Sequence, residues 1–99
     1  MEIKEFQEVI KRTYLEKDKR RGAAETFRWF VEEVGELAKA IRHGDPDEML
    51  LEFSDVMAWL FSLANIYGID MEAAASRYEK GCPKCGNIPC TCDNERKHP

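Results

Sequence analysis

"WFVEEVGELAKAIRHGDPDEMLLEFSD", Trp29 to Asp55, holds two helices and the turn that joins them. In its first half Phe30, Val31, Val34, Leu37, Ala38 and Ile41 recur at the three-and-four spacing of one helix face. The stretch His43-Gly44-Asp45-Pro46 then interrupts the pattern. Gly44 suits a helix exit, Asp45 an N-cap, Pro46 a first helical position and Glu48 the reciprocal position of a capping box. So short a join predicts two helices packed antiparallel as a hairpin.

Working outward, Ile3, Phe6, Val9, Ile10, Thr13 and Tyr14 predict a first helix over residues 2–19. The basic run from Lys17 to Glu25 contains Gly22, a natural break. The second helix is expected over 24–43, and Phe27 joins its apolar face. The third runs from Pro46 to Tyr67 and is ended by Gly68. A fourth is expected over 71–80, with Asp70 as its N-cap. From Gly81 the composition changes to Cys, Pro, Gly and charge, which divides the chain into a helical domain, 1–80, and a Cys-rich tail, 81–99. No segment alternates with period two, so the class is all-α, a four-helix bundle with a short tail. Residues 94–99 are expected to be mobile.

A chain of 99 residues, 43% hydrophobic and 34% charged, forms one small domain with a slim core, for which self-association or a metal is a natural supplement. A net charge of −4 excludes general attraction to a nucleic acid polymer. There is no uninterrupted 18-residue apolar run, and Met1-Glu2-Ile3-Lys4-Glu5 has no signal-peptide pattern, so the expected location is cytoplasmic, away from membranes.

The acids within the hairpin carry the chemistry. Leu50, Leu51, Phe53, Val56, Met57, Ala58, Trp59, Leu60 and Phe61 surround Glu52 and Asp55 so completely that neither carboxylate can be fully exposed. A buried, unpaired carboxylate costs several kcal/mol or a pKa shift of roughly 3–5 units. Two of them at i and i+3 also repel. Glu33 and Glu36 form the matching i, i+3 pair on the second helix, and the hairpin can aim the two pairs at each other. An oxygen-only set of Glu33, Glu36, Glu52 and Asp55 suits Mg²⁺ or Mn²⁺. A di-iron site of the ferritin type would need Glu-x-x-His, which neither pair supplies. Surface salt bridges to Arg28, Lys39 or Arg42 are the plainer alternative, and for Glu32 alone they explain as much.

Glu32-Glu33-Val34-Gly35-Glu36, followed after Leu37–Leu51 by Glu52-Phe53-Ser54-Asp55, resembles the EExxE…ExxD signature of the MazG-like nucleotide pyrophosphohydrolases. "FVEEVGELAKAIR" and "EFSDVMAWLFSLANIYGIDMEAA" extend the likeness over roughly residues 5–80. The resemblance implies Mg²⁺-dependent hydrolysis of an NTP or dNTP between the α and β phosphates, giving a monophosphate and pyrophosphate. By position, Glu33, Glu36, Glu52 and Asp55 would hold the metal, and Glu32 or Glu33 would orient or deprotonate water. Arg77 and Lys80 would meet phosphate, with Gly81 standing where the family often has Asn. Arg20 and Arg21 are further candidates, against solvated loop charge. Trp59, one turn beyond Asp55, is either core packing or a platform for the base, whereas Trp29 is expected in the core. His43 is expected to complement the dipole of the second helix. The resemblance also implies a homodimer or homotetramer. The rival reading is a non-catalytic helical adaptor with a zinc-binding tail.

All four cysteines lie between Cys82 and Cys92. Cys82-Pro-Lys-Cys85-Gly looks like a zinc knuckle, and Cys90-Thr-Cys92 offers two more sulfurs for a structural Cys₄ zinc site. The short gap between Cys85 and Cys90 predicts strain there, and free or redox-active thiols are the alternative.

Overall fold

The computed structural model describes residues 1–93, so the expectation for 94–99 lies outside the described residues. Four helices follow one another: α1 (Ile3–Arg21), α2 (Ala23–His43), α3 (Pro46–Tyr67) and α4 (Met71–Ser76). No strand occurs among the described residues. The architecture is the expected all-α bundle.

The helices end where local chemistry stops them. Gly22 (φ 94°) breaks the chain between α1 and α2, and Gly44 (φ 74°) closes α2 in the left-handed conformation that costs glycine least. The Asp45 carboxylate then accepts from the Asp47 N–H at 3.0 Å, and Asp70 accepts from Glu72 and Ala73 at the start of α4. Two expectations are corrected here. Glu48 does not close a capping box on Asp45; its Oε1 lies 3.1 Å from His43 Nδ1, so His43 meets a carboxylate rather than the helix dipole alone. The fourth helix stops at Ser76 instead of Lys80, because Arg77, Tyr78 and Glu79 donate to carbonyls three residues back and tighten into turns.

α3 packs chiefly on α2 and then on α1, and α1 also touches α2 and α4. The apolar core is small: Ile10, Ala40, Phe61 and Ala64 are buried, and the Phe6 ring meets Phe61 edge-on at 4.9 Å. A polar clasp completes the packing. Gln7 donates to Asn65 Oδ1 (3.0 Å) and to the Ile69 carbonyl (2.7 Å), and its own Oε1 accepts from the Met71 N–H (2.9 Å). These bonds tie α1 to the α3–α4 turn, with each buried amide atom satisfied.

By length and composition α3 is apolar enough to cross a membrane, although Glu52 and Asp55 interrupt it, and only 17% of its most apolar window is buried within the chain. Core helices of soluble proteins share that length and composition. Two mid-helix carboxylates facing another helix fit a protein interior better than hydrocarbon.

Candidate functional site

One carboxylate oxygen each from Glu33 on α2 and Glu52 and Asp55 on α3 lie within 4.8 Å of one another. The antiparallel hairpin produces this convergence, since it sets the i, i+3 acids of α3 opposite the acidic edge of α2. All three side chains are half-buried, and Glu52 Oε2 is buried with no hydrogen-bond partner among the described residues. Glu33 is held above the usual carboxylate range. Partial burial is the main cause, followed by the charges of Asp55 and Glu52, a hydrogen bond with Glu52 and the charge of Glu36. Concentrated negative charge with an orphaned acceptor is unfavourable without a counter-ion.

The cluster fits a divalent cation. Opposite oxygens around octahedral Mg²⁺ are about 4.2 Å apart. Neighbouring oxygens are about 3.0 Å apart, so the three carboxylates, now within 4.8 Å of one another, would draw together around a single ion. Of the four acids expected to converge, Glu36 stays exposed and its oxygens do not join the cluster, although its charge is felt at Glu33. Glu32 is exposed and also outside it.

Asp55 belongs to a second feature. It lines a cavity of about 170 Å³ with Tyr14, Lys17, Asp18 and Arg21 of α1 and Ala58, Trp59 and Ser62 of α3. Arg21 is fixed there from two sides. Its Nη1 donates to Asp18 Oδ1 at 2.7 Å, and its guanidinium lies 5.0 Å from the centroid of Trp59. Asp18 is almost completely buried, and its second oxygen has no partner among the described residues. Thr26 is buried behind the pair, its hydroxyl donating to the Gly22 carbonyl at 2.8 Å. The break at Gly22 thus seats Arg21 at the rim of the acidic cluster.

Among the expected substrate contacts, Arg21 and Trp59 line this cavity and Arg77 and Lys80 do not. Arg77 instead lies over the Tyr78 ring at 5.5 Å and donates to its hydroxyl at 3.3 Å. Trp29 departs from its expected core position: it is 43% exposed and stacks on Trp59, with centroids 6.5 Å apart. Sequence reasoning missed Tyr14, Lys17 and Asp18 as site residues. Their signal was the spacing 14, 17, 18, 21, one face of α1 that mixes an aromatic with charge.

The tail forms a second cluster. The Sγ atoms of Cys82, Cys85, Cys90 and Cys92 lie within 4.8 Å of one another, at 3.7 Å for Cys82–Cys92 and 4.0 Å for Cys85–Cys90. The short gap between Cys85 and Cys90 does not keep their sulfurs apart. Backbone N–H groups of Thr91 and Asn87 pull the Cys85 thiol down to about 5, and those of Cys85 and Lys84 lower Cys82. Cys92 is pushed up to about 12 by hydrogen bonding with Cys90 and Cys82. The four sulfurs could bind a metal ion.

A family model described as the MazG nucleotide pyrophosphohydrolase domain matches residues 21–85, more than half of the chain and the whole acidic hairpin. No curated protein matches the chain.

Proposed function

The chain belongs to the MazG nucleotide pyrophosphohydrolase family, whose members act on phosphoric anhydrides, and we propose that it cleaves an NTP or dNTP between the α and β phosphates with Mg²⁺ or Mn²⁺. Asp55 carries this reading: it joins the three-carboxylate cluster to a cavity walled by two aromatic rings and two cations. A nucleoside triphosphate needs all three chemistries side by side.

In this scheme Glu33, Glu52 and Asp55 hold the cation, and Glu36 turns inward to complete the set. When bound, the ion neutralises phosphate charge and favours in-line attack. Lys17 and Arg21 meet the remaining phosphate oxygens. Arg21 arrives already oriented by Asp18, so little freedom is lost on binding. Tyr14, with Trp59 beside it, gives the base an aromatic wall. Glu32, adjacent in sequence to Glu33 and outside the cluster, serves as the base that takes a proton from water, a role worth roughly 10²–10⁴-fold. Arg77 and Lys80 are assigned to phosphate from a neighbouring copy.

The active form is proposed to be a homodimer or homotetramer. Phe27, Val31, Val34 and Ile41 on α2 are 42–55% exposed, at spacings of four, three and seven that keep them on one face. Leu50, Phe53, Met57 and Leu60 on α3 repeat the pattern at 40–72%. Two such stripes on one hairpin match the seam of a bundle made from two hairpins, and a cavity of about 170 Å³ is small for a nucleotide until a second copy adds walls. Free thiols in the tail suit a reducing, cytoplasmic setting.

The test is pyrophosphate release from canonical and modified NTPs and dNTPs with Mg²⁺, Mn²⁺ or EDTA. Metal-dependent release with a clear base preference is expected. Folded protein that releases none would favour the adaptor.

A further inference from the structure

We propose that Cys82, Cys85, Cys90 and Cys92 bind a single Zn²⁺ as a closed tetrathiolate centre that holds residues 81–92 folded beside the turn at Tyr78 that follows α4. This site is independent of the carboxylate centre.

Sulfur spacing is the first argument. A tetrahedral zinc centre with Zn–S of about 2.3 Å places its sulfurs about 3.8 Å apart. Two pairs here stand at 3.7 and 4.0 Å, and all four sulfurs fall within 4.8 Å. A disulfide needs about 2.05 Å, and all four thiols are free. A polynuclear iron–sulfur cluster separates its thiolates around several metal atoms, so this spacing fits one ion.

The backbone is arranged for thiolates. Thr91 N–H donates to Cys85 Sγ at 3.4 Å and Cys92 N–H to Cys90 Sγ at 3.4 Å. Gly86 (φ 75°) makes the knuckle turn, and its N–H donates to the Cys82 carbonyl at 2.7 Å. Such N–H···S bonds disperse negative charge and fix ligand orientation.

The segment also lacks another source of stability. No apolar side chain between Gly81 and Asp93 is fully buried. Yet it folds back closely: a Cβ on Gly81 (φ 107°) would fall 2.8 Å from the Asn87 carbonyl oxygen and 2.5 Å from Ile88 Cγ1. A metal that binds only the folded form supplies the missing free energy. Four sulfurs leave no position for water, so the role is structural. Four soft thiolates in tetrahedral array suit Zn²⁺, which has no redox chemistry and no geometric preference of its own to satisfy.

The full chain, purified under reducing conditions and exposed to Zn²⁺, should carry one zinc per chain by elemental analysis. Replacement by Co²⁺ should give the intense visible bands of tetrahedral thiolate coordination. Cys85→Ser should lose stoichiometric zinc while the circular dichroism of the body persists. Cys85→His, which keeps a ligand, should retain zinc with an altered Co²⁺ spectrum. Gly81→Ala keeps every ligand and should bind zinc on the order of ten-fold more weakly, because the fold-back is blocked. A folded chain with four titratable thiols and no zinc overturns the proposal, as does iron in place of zinc or a weak octahedral Co²⁺ spectrum. Zinc content is read without reference to pyrophosphate release, so failure of one reading leaves the other standing.

Discussion

The Arg21 guanidinium lies 5.0 Å from the centroid of Trp59 and is held there by the buried Asp18 carboxylate at 2.7 Å. A cation fixed on an aromatic face beside Asp55 has lost its freedom before substrate arrives. Arg21→Ala should therefore raise KM about ten-fold, the loss of one charge-assisted contact, with a smaller fall in kcat. An unchanged KM would return Arg21 to a structural role.

Asp18→Asn addresses the support. It keeps the shape, removes the charge facing Arg21 and should cost about 1.5–3 kcal/mol of stability in urea unfolding. KM should rise in the same variant, because Arg21 then samples positions away from Trp59.

The three-carboxylate cluster predicts an inequality among glutamine variants. Glu52→Gln should lose Mg²⁺ binding and lower turnover on the order of 100-fold with helicity intact. Glu36→Gln, outside the cluster, should weaken Mg²⁺ less. Equal losses would mean that Glu36 is as full a ligand as Glu52. Without Mg²⁺, Glu52→Gln should melt no lower than the parent chain, since it removes one of three mutually repelling charges.

Glu33 gives the pH dependence its sign. Its carboxyl is held above the usual range in the folded chain. The folded state therefore binds that proton more tightly than the unfolded state. This stabilisation is present at low pH and fades as pH rises through the raised value. As pH rises past the ordinary carboxylate range and through the raised Glu33 value, metal-free protein should lose more melting temperature than Glu33→Gln does. Mg²⁺ should restore it at neutral pH, and proton competition should weaken Mg²⁺ binding as pH falls.

The exposed stripes predict association. Phe53→Glu with Met57→Glu should give a monomer in sedimentation analysis while leaving helicity largely intact, because both side chains point away from the core. A parent chain that is monomeric at high micromolar concentration would remove the bundle proposal.

The sequence by itself determined the helices, the hairpin and the acidic pairs. Gly44-Asp45-Pro46 caps one helix and starts the next through contacts a few residues apart, so their identities are enough. The i, i+3 spacing likewise shows that Glu52 and Asp55 share a face. Only the tertiary structure decided which acids meet. Glu36 has the same spacing in sequence as Asp55, yet it is turned outward while Asp55 is half-buried beside α1. It also decided that Trp29 leaves the core to stack on Trp59, and that Tyr14, Lys17 and Asp18 reach the site. The first two outcomes depend on how α2 and α3 meet in the hairpin, and the last on how α1 lies across α3, set by long-range contacts such as Gln7 with Asn65 and Phe6 with Phe61. Periodicity tells which face of a helix is buried, whereas the site depends on what that face is buried against.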